Sequence, residues 1–105
     1  MKMIRAIIRP DHESEVLGRL EAAGHYAMTK VSVLGRGQQR GIQVGAVSYD
    51  ELAKVMLILV VEDGECEPVI TLIEEAARTG HPGDGKVFLQ HVTAAYTIST
   101  GKTGL

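Results

Sequence analysis

The chain has 105 residues, with 11 Lys and Arg against 13 Asp and Glu for a formal net charge of -2. That is one domain, residues 1–105, too small to spare much core, so self-association is a natural supplement. No basic run suggests nucleic acid, the longest apolar run (Val55 to Val61) is far too short to cross a bilayer, and the single Cys66 excludes an internal disulfide framework and fits a reducing cytoplasm.

The N-terminus, Met1-Lys2-Met3-Ile4-Arg5, lacks the apolar stretch of a signal peptide. Residues 2–9 alternate, with Ile4, Ala6 and Ile8 on one side and Met3, Arg5, Ile7 and Arg9 on the other, which predicts a strand ended by Pro10. Asp11 reads as the N-cap of a helix whose apolar stripe is Val16, Leu17, Leu20 and Ala23, with Gly24 as its C-terminal stop. Tyr26 to Leu34 predicts a second strand. Residues 35–53 carry four glycines and few anchors, which predicts a mobile surface loop, and a loop that long in so small a domain is usually functional. Val55 to Val61 is apolar throughout, so a third strand buried on both faces is expected. Residues 65–78 predict a second helix, with Pro68 in its first turn and Val69, Leu72, Ile73 and Ala76 as its buried stripe. A Gly-rich turn over 79–86 leads to a fourth strand, Val87 to Ile98, and a short polar tail.

The order β-α-β-β-α-β is the split βαβ of α+β, ferredoxin-like folds: a four-stranded antiparallel sheet with two helices on one face. Two helices cover only one face of such a sheet. The doubly apolar third strand therefore predicts that another copy of the chain covers the other, in a cyclic homo-oligomer with clefts between subunits.

The turn Thr79-Gly80-His81-Pro82-Gly83-Asp84-Gly85-Lys86 carries the strongest local chemistry. Its glycines allow backbone N–H groups to converge on an anion, and Lys86 adds a point charge. Gly80 to Lys86 fits the first positions of a Walker A loop, but Val87 stands where that motif needs Ser or Thr, and the turn runs from helix to strand, the reverse of a P-loop. An ordinary αβ connection with Gly at the helix end remains the plainer alternative on spacing alone.

T-G-H-P-G-D-G-K-V-F (79–88) is similar to the T-G-x-x-G-D-G-K-I-F signature of PII signal proteins, where it forms the B-loop. V-L-G-R-G-Q-Q-R-G (33–41) resembles the segment that opens their T-loop, A-K-V-M-L-I-L-V-V (53–61) the one that closes it, and S-T-G-K (99–102) their C-loop R-T-G-E. With the opening M-K-M-I-R-A-I-I-R-P, the likeness spans the whole chain, giving a T-loop at about 37–54, a B-loop at 79–86 and a C-loop at 99–105. The T-loop is shorter than in ordinary PII proteins. I-Q-V-G-A-V-S-Y-D-E-L-A-K (42–54) resembles the subgroup encoded beside nitrogenase genes in archaea and anaerobic bacteria, as the first of a pair.

The resemblance implies a trimer with ATP or ADP in each inter-subunit cleft. Gly83, Asp84, Gly85 and Lys86 would hold phosphates and ribose; Gly35, Arg36, Gly37 and Gln38 would line the cleft; Ile7, Thr29, Val60 and Thr79 would surround adenine and sugar. Gln39 would coordinate Mg²⁺ beside the ATP phosphates and 2-oxoglutarate, since a dicarboxylate and three phosphates repel one another unless a cation is shared. Lys54 would grip the distal carboxylate of 2-oxoglutarate, with backbone N–H groups of Arg40 and Gly41. Read without the resemblance, Lys54 is a solvated charge before a strand. The family's R-x-R-T-G arginines are replaced here by Thr97 and Ser99, and hydrogen bonds to charged groups contribute roughly 1.5–3 kcal/mol each, so weaker nucleotide binding is expected unless Lys102 substitutes. Tyr49 is two positions off the tyrosine that enteric relatives modify; Val47 is its counterpart.

His12, His25, His81, His91 and Cys66 show no short ligand spacing, and no nucleophile or carboxylate pair suggests catalysis. Neither an enzyme nor a resident metal site is expected. The function implied is a cytoplasmic regulator that senses ATP/ADP and 2-oxoglutarate and controls nitrogenase, through its dinitrogenase component, by means of the T-loop. It would act as a homotrimer or a hetero-oligomer with a sister PII-like protein. The alternative is a general regulator of an ammonium transporter or a nitrogen-assimilation enzyme.

Overall fold

The structure, a computed structural model, describes residues 1–37, 42–45, 47–49 and 51–105. Alternation decides the first strand. β1 (Lys2–Ile8) buries Ile4, Ala6 and Ile8 and turns Met3, Arg5 and Ile7 to the other face. Pro10 then fixes the backbone for a 3-10 turn, Pro10–His12, and α1 (Glu13–Ala22) begins without a side-chain cap. Asp11 is thus not the N-cap: it sits inside the 3-10 turn, one residue into a helical path that starts at proline. The other end of α1 follows the sequence. Gly24 has φ 91°, its N–H donates to the Glu21 carbonyl at 2.9 Å, and the His25 N–H donates to Leu20 at 2.8 Å, which is a Schellman stop. Val16 and Leu20 are buried and Leu17 packs at the margin, whereas Ala23, expected in the stripe, is exposed.

β2 (Thr29–Gly35) starts three residues later than expected, and Tyr26 lies exposed before it. Within the stretch read as a loop, β3 (Ile42–Val44) pairs antiparallel with β4 (Val47–Tyr49), Val44 opposite Val47. β5 (Leu52–Val61) is longer than predicted and takes in Lys54. After a 3-10 turn at Asp63–Glu65, α2 (Cys66–Ala77) buries Cys66, Val69, Ile73, Ala76 and Ala77, with Leu72 partly covered.

β6 (Gly85–His91) ends well before Ile98. Val92 still donates to the Met1 carbonyl at 3.1 Å, but the chain then folds back on itself. Tyr96 bridges Thr103, the Thr97 N–H donates to Lys102 at 2.9 Å, and the Gly104 N–H donates to Ala95 at 2.9 Å. The expected last half of the fourth strand and the tail are therefore one small clasp.

The main sheet has the order β2-β5-β1-β6, antiparallel throughout, and both helices pack on one face. This is the α+β ferredoxin-like fold. The core is Ile4, Ala6, Ile8, Val16, Leu20, Val55, Leu57, Leu59, Val61, Val69 and Ile73 with their neighbours. In the single chain β5 is not buried on both faces. Val55, Leu57, Leu59 and Val61 lie under the helices, while Met56, Ile58 and Val60 are half-buried on the opposite, open face. Pairing puts Met3, Ile7, Val31, Val33 and Phe88 on that open face with them, around Arg5.

Candidate functional site

Three glycines shape the turn between α2 and β6. Gly80, Gly83 and Gly85 have φ 89°, 97° and 116°, in the region that L-side chains rarely enter. Gly85 is doubly required: a Cβ there would lie 1.7 Å from the Ile7 carbonyl oxygen, because the turn enters β6 directly against the end of β1.

Asp84 holds the turn together. Its Oδ2 accepts the Thr79 N–H at 2.8 Å and the Gly80 N–H at 2.9 Å. Its Oδ1 accepts Arg9 Nε at 3.1 Å and the Thr79 hydroxyl. That hydroxyl in turn accepts the His81 N–H at 3.2 Å. These donors, the Thr79 hydroxyl first, hold the Asp84 carboxyl far below the usual carboxylate range. Arg9 makes a second tie, Nη2 to the Pro82 carbonyl at 3.0 Å.

Lys54 reaches the same turn from β5, donating from Nζ to the Gly83 carbonyl at 2.5 Å. Partial burial, then the nearby Arg9 guanidinium, lowers its pKa, while Asp84 and Asp11 oppose the shift. Lys54 is therefore a partly desolvated cation with a definite partner, not a solvated charge before a strand.

Strand register sorts the remaining residues. Ile7, Thr29, Gly35, Lys54, Val60 and Lys86 all fall on the open face, since Ile7 pairs with Met56 and Lys86, Lys54 with Val33, and Thr29 with Ile58. Ile7, Lys54, Gly35 and the turn Thr79–Lys86 gather at one end of the sheet, where Arg36 and Gly37 follow β2. Thr29 lies at mid-sheet. Val60 pairs with Met3 at the far end, four residues along β5 from Met56, or roughly 13 Å. One copy of the chain thus does not bring Val60 to the turn. Gln38, Gln39, Arg40 and Gly41 lie outside the described residues. Thr97 and Ser99 are exposed in the C-terminal clasp, as is Lys102.

A cavity of about 300 Å³ opens beside the turn, lined by Ile7, Ile73, Arg78, Gly85, Lys86 and Val87 among others. Arg78 pairs there with Glu74 at 3.3 Å, an exposed i,i+4 contact worth little on its own. Among the described residues no group of His, Cys, Asp and Glu is arranged to hold a metal ion, and no helix is long and apolar enough to cross a membrane.

Arg9 is the residue that the sequence left out of the site. Its signal was present: it continues the side of β1 occupied by Ile7, at the strand end where the Gly-rich turn docks.

These features define a ferredoxin-like domain whose sheet end carries a pre-shaped, cation-flanked glycine turn. The family model described as Nitrogen regulatory protein P-II matches residues 1–102, and the chain belongs to that family. It is 53% identical over 105 residues, all of both chains, to the nitrogen fixation nifHD2 region GlnB-like protein 1 of Methanosarcina barkeri. It is 50% identical over the same full length to the nifHD region GlnB-like protein 1 of Methanothermococcus thermolithotrophicus. Nitrogen regulatory protein P-II 2 of Methanothermobacter thermautotrophicus is more distant, 42% identical over 111 residues that cover 99% of this chain and 94% of that one.

Proposed function

We propose that this protein is a cytoplasmic sensor of ATP or ADP and 2-oxoglutarate that controls nitrogenase through the segment at about 37–54. The observation that carries the proposal is the convergence at one sheet end of the glycine turn, Lys86, Ile7 and Lys54, with the Lys54 ammonium already on the turn's Gly83 carbonyl. A cation beside a glycine turn, whose bare backbone lets an anion approach closely, suits phosphates. A second, partly desolvated cation beside them suits a carboxylate. The residues present fit these effectors, and Mg²⁺ would supply the charge that lets the two anions share the site, held on the protein side by Gln39.

Membership of the family and full-length identity to nif-region relatives support nitrogenase as the target. Val60 and Thr29 would reach the nucleotide from a neighbouring copy, which makes the complete site a property of a trimer or of a hetero-oligomer with a sister protein. The apolar open face supports that assembly. Without 2-oxoglutarate the loop would engage its target. With Mg-ATP and 2-oxoglutarate, Gln39 and Lys54 would draw the loop base inward and release it, a shift between existing states.

Calorimetric titration of 2-oxoglutarate with and without Mg-ATP tests this. Binding seen only with Mg-ATP, followed by capture of dinitrogenase that 2-oxoglutarate reverses, is the expected result. Absence of nucleotide binding in an assembly shown by light scattering to be intact would overturn it.

A further inference from the structure

We infer that the Asp84 side chain, read from the sequence as holding phosphate or ribose, instead acts as a positioning group that shapes the anion cradle from inside the turn and makes no contact with the ligand. The inference rests on the nucleotide reading of the site given above. Both carboxylate oxygens are occupied: Oδ2 by the Thr79 and Gly80 N–H groups at 2.8 and 2.9 Å, Oδ1 by the Thr79 hydroxyl and by Arg9 Nε at 3.1 Å. Two backbone N–H groups, a hydroxyl and a guanidinium around one pair of oxygens is the arrangement that binds a phosphate in other turns. Here the chain supplies its own anion.

Two consequences follow. The donors of Thr79 and Gly80 are taken, so a bound phosphate is met by the second half of the turn, at Gly83 to Lys86. The Asp84 charge is also balanced by Arg9, so it does not cancel the attraction of Lys86 for a phosphate. Arg9 locks the arrangement by holding the Pro82 carbonyl at 3.0 Å with its other arm. The turn is thereby pinned to the end of β1, against which Gly85 already packs without room for a Cβ.

Asp84→Asn tests this. The amide has one acceptor oxygen where the carboxylate has two, and it turns a donor toward donors. In the ligand-free protein the amide proton resonances of Thr79 and Gly80 should move upfield, with the remaining spectrum and the assembly mass retained. Mg-ATP should bind about tenfold more weakly, the size of one lost hydrogen bond to a charged group, while adenosine, which lacks phosphates, should bind as before. Arg9→Met, which removes the guanidinium donor from Oδ1 and leaves the Asp84 carboxylate in place, should also weaken Mg-ATP binding and spare adenosine, and it stands in if Asp84→Asn does not fold. Unmoved Thr79 and Gly80 amides, unchanged or tighter ATP binding, or equal loss of ATP and adenosine would each overturn the inference. Wild-type protein that binds neither Mg-ATP nor adenosine refutes the reading of the site and the positioning role with it. That outcome is told apart from a missing clamp because the two amides still shift.

Discussion

Replacing Gly85 by alanine should be far more damaging than the same change at Gly80, although both glycines have positive φ in the same turn. At Gly80, φ is 89° and a Cβ would meet nothing within 4 Å, so the cost is backbone strain alone, about 1–2 kcal/mol. At Gly85, φ is 116° and the new Cβ would sit 1.7 Å from the Ile7 oxygen and 2.8 Å from the Ile7 carbonyl carbon. Those are backbone atoms of the central strand and cannot rotate away. Relief requires β6 to peel from β1 at the Gly85–Ile8 pair, adding about 1 kcal/mol for a lost ladder bond and about 1–3 kcal/mol for the displaced packing. Gly85→Ala should therefore cost about 3–6 kcal/mol, against a total stability of about 5–15 kcal/mol for a domain of this kind. Urea unfolding at one fixed protomer concentration measures both variants, because the apparent stability of any chain that self-associates depends on concentration. Equal destabilisation of the two variants would refute the argument that the Ile7 carbonyl excludes a side chain at position 85.

Lys54→Ala should abolish the 2-oxoglutarate response in calorimetry while leaving ATP affinity largely intact; equal loss of both ligands would sink the separate roles given to Lys54 and the turn. The depressed pKa of Asp84 makes a pH prediction. Its ionised form is favoured by folding, so its contribution is complete above the unfolded value of about 3.9 and is lost progressively as pH falls from there through the lower folded value. Wild type should then exceed Asp84→Asn in stability at neutral pH, with the gap closing as acid protonates the wild-type carboxyl; a gap that widens below pH 4 in acid melts contradicts the assignment. Ile73→Ala, at a position 1% exposed beneath the sheet, should cost about 2–5 kcal/mol in chemical unfolding, and a cost below that range would mean that α2 is not packed as described.

The sequence displayed most of the fold because its periods are clean. Ile4, Ala6 and Ile8 alternate with Met3, Arg5 and Ile7. Val69, Ile73 and Ala76 keep helical spacing, and Gly24 stops α1. What it did not display depends on partners remote in the chain. The apolar alternation past His91 looks like strand, but after the Val92 bond to Met1 the backbone of 95–104 pairs with itself, and apolarity does not record which partner a strand chooses. Asp11 looked like a cap because the geometry that Pro10 imposes on the next residues is not visible in residue types. The two burial states of β5 reflect which faces have neighbours, and the third strand's composition is compatible with either. At the site, the glycines, Lys86 and Lys54 stood out through the family likeness, whereas the work of Asp84 stayed hidden because its partner Arg9 is 75 residues away.

β1 lies between β5 and β6 at the centre of the sheet, and its two sides serve different ends. Even-numbered positions face the helices; odd-numbered ones face the open side, and Arg9 beyond them joins the turn. Tolerance to substitution should consequently oscillate with a period of two along residues 3–9. Changes at Ile4, Ala6 and Ile8 should be felt as lost expression and lower melting temperature. Changes at Arg5, Ile7 and Arg9 should leave a folded chain altered in what it assembles with or binds. A single strand thereby separates selection for stability from selection for signalling, and a one-residue insertion within it would exchange the two.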